Sequence, residues 1–456
     1  MFVARTCGFL IGLCLIIVPC AGQGVTSIPT WPSLSDSPYT ACLEPAFAVK
    51  SRWSSTEFSA WREMCSGSPI DLRNASDPTE KALSAGFLQT ILSDTKFTNH
   101  LPKRALHVIG AEIDAELYYI DVNEITLQDC NIRELSLITP TIRGIVFIEN
   151  SKFERVRISS GRIGRITLRG TEGGSFELNQ VDLEARGLLT LSRFKDFRIV
   201  GSHLHSDLYA HATQFDTVNI SQSIVDGSIW LDTGDIAGTE LEVRDSKVGW
   251  TIALGGPNPP NFRRIGISNT SAVRVTLAPP SSAVQISGST FSEWPNDLNI
   301  TKEVLAVNSD PRLFEQITRA YKNSGQYSDA DAVQYLRKNF DFAHAKGFAR
   351  FFLYLTWLTV GYGLYPAFGF VWFGILIVIG YFVFRSGSGS SRSVSRPRSW
   401  LFYSLDTIIP VIKLDPEHEK VAFEGWRQYY LYAMRVLSTV LVFLIAKILG
   451  DIIAGY

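Results

Sequence analysis

Net charge is what this chain has least of: 43 basic and 44 acidic side chains leave −1. That excludes bulk electrostatic attraction to nucleic acid or to acidic partners. Cysteine is scarce as well, six in 456 residues, and no two stand at metal-ligand spacing. There is no phosphate loop, nucleophile elbow or dinucleotide fingerprint. The sequence therefore assigns no catalytic residue, no cofactor and no metal, and it reads as a non-enzyme. What it does have is apolar and aromatic material, 46% and 12% of the residues. That is enough for a large core. Much of the excess lies toward the C-terminus, which points to a membrane part.

From Ala105 to Trp294 short apolar strands recur about every twenty residues. The anchors Ile142, Ile163, Leu183, Leu204 and Ile224 stand 21, 20, 21 and 20 residues apart. Apolar pairs two apart follow most of them: Ile145 and Phe147, Ile166 and Leu168, Leu208 and Ala210, Ile229 and Leu231. Ile252 with Leu254 and Val275 with Leu277 continue the pattern, and small polar steps such as Asn150-Ser151, Gly201-Ser202 and Asp245-Ser246 separate the strands. A fixed period of this size marks a solenoid, whose coils bury their apolar faces only by stacking. The pattern predicts a mainly β fold, a parallel β-helix of about eight or nine coils over 105–305.

Residues 1–24 have the layout of a secretory signal: Arg5, the apolar run Gly8 to Val18, then Ala21-Gly22. An uncleaved anchor is the alternative, and either places the solenoid outside the membrane. Residues 25–104 read as a mostly helical cap, with helices at Ser55 to Met64 and Pro78 to Leu92, covering an open solenoid end. Cys42 and Cys65 fall in this subdomain and would pair in an oxidising compartment, the alternative being two reduced buried thiols. Cys130 sits among the polar steps and reads as a small packed residue. The Pro-rich stretches Leu254 to Pro260 and Ala278 to Ser282 read as loops.

Residues 306–348 switch to helical rhythm. Asp310-Pro311 opens a helix that stops at Gly325, and a second runs from Ser328 to Ala345. We read this hairpin as the C-terminal cap and stalk. The remainder, 349–456, is the α-helical membrane region, with spans at 366–384 and 429–450. Arg385 to Arg398 holds four arginines among serines and glycines, so the loop of 385–428 is expected in the cytoplasm and the solenoid in the periplasm. Trp400 to Leu414 reads as an interfacial or re-entrant helix.

Three constellations bear on chemistry. Thr359-Val360-Gly361-Tyr362-Gly363 matches the potassium-channel filter letter for letter. No span precedes it, however, and the same residues suit a break between an interfacial helix and a span. His203, His205 and Asp207 lie on one face of a strand with His211 nearby, a set of metal-ligand types on a surface where polar alternation is expected anyway. Asp226, Asp232, Asp235 and Arg244 offer the residue types of a sugar-cleaving groove without a specific spacing.

Leu83-Ser-Ala-Gly-Phe-Leu88, Leu106-His-Val-Ile-Gly-Ala-Glu-Ile113, the coils, Gly361-Tyr-Gly-Leu-Tyr-Pro366 and Phe402-Tyr-Ser-Leu-Asp-Thr-Ile-Ile-Pro410 together resemble a group of bacterial membrane proteins with pentapeptide-repeat-like β-helices and C-terminal transmembrane segments. The resemblance implies a Gly-Tyr-Gly turn ahead of a span. Some of that group carry an oxidoreductase label, for which this sequence holds no cofactor site. The chain departs from it in its secretory-type N-terminus and irregular coils.

The resulting expectation is a non-catalytic β-solenoid of the bacterial envelope, anchored in the inner-membrane bilayer. It would present a rigid surface to an envelope protein or cell-wall polymer. An ion-channel-like pore module with a β-helix sensor, and a polysaccharide-acting β-helix, are the alternatives.

Overall fold

The structure, a computed structural model, describes residues 42–46, 49, 52–75, 77–232, 237–254, 261–277, 284–386, 399–408 and 425–453. The signal segment 1–24, the basic loop at 387–398, the loops at 255–260 and 278–283, and Asp235 lie outside the described residues. The chain is a parallel β-solenoid of about eight turns with C-terminal helices. It divides into two units, Met1–Glu184 and Ala185–Tyr456.

In the first unit two parallel sheets alternate along the chain. One pairs Ala82–Ser84, Glu112–Tyr118, Asn131–Ile138, Lys152–Ser159 and Glu172–Asn179 in order. The other pairs Ile70–Asp71, Ala105–Ile109, Glu124–Gln128, Thr141–Glu149, Arg162–Arg169 and Asp182–Leu183. The predicted helical cap thus contains two short strands that already pair with the solenoid. One of them, Ala82–Ser84, interrupts the predicted Pro78 to Leu92 helix, which is split into Pro78–Lys81 and Ala85–Ser93. The cap has its own aromatic core of Trp53, Trp61, Phe87 and Phe97. Cys42 and Cys65 are joined by a disulfide with Cα atoms 5.6 Å apart. The helix Ser55–Cys65 opens on a capping box between Ser54 and Glu57. The Glu57 carboxylate also accepts the Ser84 N–H at 2.9 Å, tying helix to strand. Burial pushes its carboxyl up, but the hydrogen bonds from Ser84 and Ser54 outweigh that and hold it below its ordinary value.

Many of the described turns use the same device. One residue takes a left-handed φ, and the next is a small buried side chain. Leu191, Gly201, Ala212 and Gln222 have φ of 51°, 60°, 48° and 53°, and they stand ten or eleven residues apart. A left-handed conformation disfavours side chains other than glycine by about 1–2 kcal/mol, so something must hold Leu191 and Ala212 there. The following hydroxyl does so. Ser192, Ser202, Thr213 and Ser223 each donate to the carbonyl two residues back, at 2.8, 3.0, 3.1 and 2.7 Å. Stacking then links the coils: Ser202 N–H donates to Ser223 Oγ and Ser223 N–H to Ser246 Oγ, both at 3.2 Å. In the first unit Cys130 N–H donates to Ser151 Oγ at 3.0 Å in the same way. Cys130 therefore occupies a hydroxyl's place, and burial pushes its thiol up to about 11, leaving it inert as a nucleophile at neutral pH.

Two inward assignments read from the pattern are corrected. Val146 and Ile148, not Ile145 and Phe147, are buried, because a bulge at Arg143-Gly144 inserts one residue and reverses the alternation. At the next anchors Val225 is fully buried while Ile224 is 43% exposed. Leu204 pairs with Val225, and Ser223 in the hydroxyl column fixes that register.

The second unit is built of parallel coils in the same way. Arg193–Val200, Gln214–Ser221, Ala237–Arg244, Asn261–Ser268 and Val284–Ser287 form one sheet. In the other, the strands are broken in two: His203–Leu204 and Leu208–His211, Ile224–Val225 and Ile229–Asp232, Lys247–Val248 and Thr251–Leu254. The last strand is Thr290–Glu293, and a helix, Leu298–Val307, comes next where the β-helix was expected to reach residue 305. Asn308 then closes the sheet. Its Oδ1 accepts Ile286 N–H at 2.6 Å, and its Nδ2 donates to Val284 O at 2.9 Å and Val304 O at 2.6 Å.

The helices Pro311–Asn323, capped by Asp310, and Tyr327–His344 form the expected hairpin. Gly347–Val360 is the next helix. Ala367–Arg385 and Trp426–Lys447 are long and apolar enough to cross a membrane. Between them in sequence, Trp400–Ile408 packs on the first. Ser404 Oγ donates to Ile377 O at 2.9 Å, and only a glycine at 380 leaves room for it, since a Cβ there would stand 2.2 Å from Ser404 Oγ.

Candidate functional site

The strand breaks of the second unit gather the residues of interest. Side chains alternate along each short strand, so Leu204 and Val225 enter the core while His203 and His205 point outward. The Asp226 N–H donates to Leu204 O at 2.8 Å and locks the two coils together beneath them. His203 Nε2 lies 3.0 Å and His205 Nδ1 3.2 Å from one oxygen, Asp226 Oδ2. The two imidazole rings are 3.9 Å apart between centroids.

Asp207 is not part of this group. It pairs with Arg186 at 2.9 Å and accepts the Ser228 N–H at 2.8 Å. His211 lies further along the strand, stacked on Tyr209 at 6.2 Å between ring centroids. Of the residues considered for sugar cleavage, Asp226 faces the histidines, and Asp232 is the register partner of His211. Arg244 belongs to the opposite sheet, where it pairs with Glu242 and Asp245. Among the described side chains, Asp226 and Arg244 therefore lie on opposite sheets and do not share one groove.

On the same sheet stand aromatic side chains that the sequence pattern did not single out. Tyr209 and Trp230 are register partners on the outer face, and Trp250 stands at the break of the next coil. Trp230 is 41% and Trp250 65% exposed. The signal was available for Trp230: it lies between Ile229 and Leu231, both inward, so it is a large apolar side chain on the solvent phase of its strand.

The filter-like motif adopts a turn. Thr359 and Val360 finish the helix Gly347–Val360, and Gly361 caps it in the left-handed region at φ 54°. The carbonyls of Val360 and Gly361 accept Tyr365 and Leu364 N–H groups, so they are engaged within the turn. Pro366 then starts the apolar helix, as the resemblance implied for a Gly-Tyr-Gly ahead of a span.

Scanned against protein-family models, curated proteins and solved structures, the chain matches none.

Proposed function

We propose that this chain is a membrane-anchored, non-catalytic binding protein of the bacterial envelope, whose solenoid presents a rigid surface to an envelope protein or cell-wall polymer. The observation that carries this reading is the register pair Tyr209 and Trp230 on the outer face of neighbouring coils, with Trp250 exposed at the next coil's strand break. Aromatic side chains left in water on a rigid sheet give up little conformational entropy on binding, and residues of this kind dominate interface energetics. Anchoring is supported by the two apolar helices, whose Phe370, Phe382 and Phe443 are exposed and would be covered by lipid. The Cys42–Cys65 disulfide supports an oxidising side for the solenoid, hence a periplasmic solenoid and a cytoplasmic loop at 385–428. The test is cosedimentation of purified full-length chain with isolated cell-wall polymer. The double variant Trp230→Ala, Trp250→Ala should lose about 2 kcal/mol or more of binding while keeping its β circular dichroism. Equal binding by variant and parent would refute the surface.

A second reading, a pore module, is favoured by one observation. The Ser404–Ile377 contact sets Trp400–Ile408 beside the middle of the apolar helix Ala367–Arg385, as a re-entrant helix would lie. Potassium flux in liposomes carrying the protein tests it. A selective flux abolished by Gly361→Ala would favour the pore over the scaffold.

A further inference from the structure

The histidine–aspartate group supports a second, separate assignment. Zinc bonds to histidine nitrogen and carboxylate oxygen are about 2.0–2.2 Å long, so tetrahedral ligand atoms stand roughly 3.3 Å apart. His203 Nε2 and His205 Nδ1 lie 3.0 and 3.2 Å from Asp226 Oδ2. Two edges of such a tetrahedron are therefore already present. The backbone beneath cannot drift. Leu204 and Val225 are fully or almost fully buried, and Asp226 N–H holds Leu204 O. Ligands fixed by packed strands are already arranged for the ion. Asp207 does not compete for the imidazoles, because Arg186 and Ser228 hold it. The side chains of His203, His205 and Asp226 remain 39%, 41% and 50% exposed, which leaves an entry path and room for water as a further ligand.

We propose that His203, His205 and Asp226 form a surface site for a divalent cation of the zinc–nickel class. Imidazole donors select these ions over magnesium and calcium, which take oxygen ligands. The site does not depend on the exposed aromatic residues having a partner.

The test uses full-length protein in detergent, carrying no polyhistidine tag and stripped with chelator. Zn²⁺ is titrated against a chromophoric competitor, and Co²⁺ substitution reports coordination by its visible absorption. One equivalent of Zn²⁺ should bind per chain, undisplaced by a large excess of Mg²⁺. His203→Ala and Asp226→Asn should each weaken binding by more than the roughly 10–100-fold that loss of an outer-shell partner costs. Asp207→Asn should bind like the parent. All three positions are at the surface, and unchanged far-UV circular dichroism shows that each variant folds. The proposal is overturned if the parent takes up no Zn²⁺, or if the His203→Ala, His205→Ala double variant retains the parent's affinity.

Discussion

Three residues before a left-handed corner, the first unit places Thr126, Phe147 and Thr167 on the outer side of its sheet, and the second places Leu188 and Tyr209, with Trp230 the register partner of Tyr209. One residue before the corner the contrast is sharper. In the first unit Gln128 Nε2 donates to Glu149 Oε2 at 2.8 Å, Glu149 pairs with Arg169 at 3.5 Å, and His107 joins Gln128 at 3.0 Å. Coil neighbours there satisfy one another. The opposite sheet repeats the theme with Arg133–Asp114, Arg155–Glu134 and Arg157–Glu177. The second unit keeps the same inner columns but exposes Trp230 and Trp250 on its outside. The inside of a coil is thus constrained by stacking alone. The outside can either be spent on cross-coil pairs, which hold register, or left available for a partner.

Variants can break this division between inside and outside. The largest effect is expected inside: Ile229→Asp puts an unpaired charge into a fully buried column, which costs several kcal/mol or more. Loss of the cooperative β melt should follow, whereas His205→Ala, on the outside of the same sheet, should shift stability by about 0.5 kcal/mol or less. Equal damage from both would invert the face assignment. Reducing the Cys42–Cys65 bridge, which closes 23 residues, should remove about 3 kcal/mol, read as a lower melting temperature in reductant. Glu57→Gln comes next, at about 1–3 kcal/mol for buried N–H groups that lose their charged acceptor. The Glu57 carboxyl is held low in the folded chain. Its stabilisation is therefore present above the unfolded carboxylate value and is lost as pH falls through the folded one. The variant and parent should differ most near neutrality and converge in acid; a constant gap across that range would contradict the carboxylate's role. Ser223→Ala should cost about 1–2 kcal/mol, by leaving the Ser202 N–H without its acceptor. Smallest of all, Arg155→Ala should change stability by roughly 0.2–1 kcal/mol, since the Glu134 pair is exposed.

Most of the solenoid was legible because its inner column repeats. Ile163, Leu183, Leu208 and Ile229 are all buried where the period put them. The reading failed where a single residue changes strand phase, at the Arg143-Gly144 bulge and at the Ile224-Val225 pair, because two adjacent apolar residues look alike until one neighbour fixes the register. The histidine cluster was half legible. Alternation put His203 and His205 on one face but offered Asp207 as their partner, and the strand breaks before Asp207. The true partner stands one coil further on: Asp226 is 21 residues after His205. Applying the period to the outward residues as well as the inward ones would have found it. The helix Leu298–Val307 was missed because its apolar residues come directly after the last coil's rhythm.

The side chain of Asn308 has a consequence for how long such a molecule grows. A stack of parallel coils is, in polymer terms, a living chain: its last rung presents the same donors and acceptors as every rung before it, ready for another copy. Asn308 gives that rung an amide in place of a further strand, accepting from Ile286 and donating to Val284. It is a chain stopper, a single carboxamide that ends the propagation of a one-dimensional lattice. Replacing it with a residue that lacks an amide would take from that last rung the acceptor of the Ile286 N–H and the donor to the Val284 carbonyl.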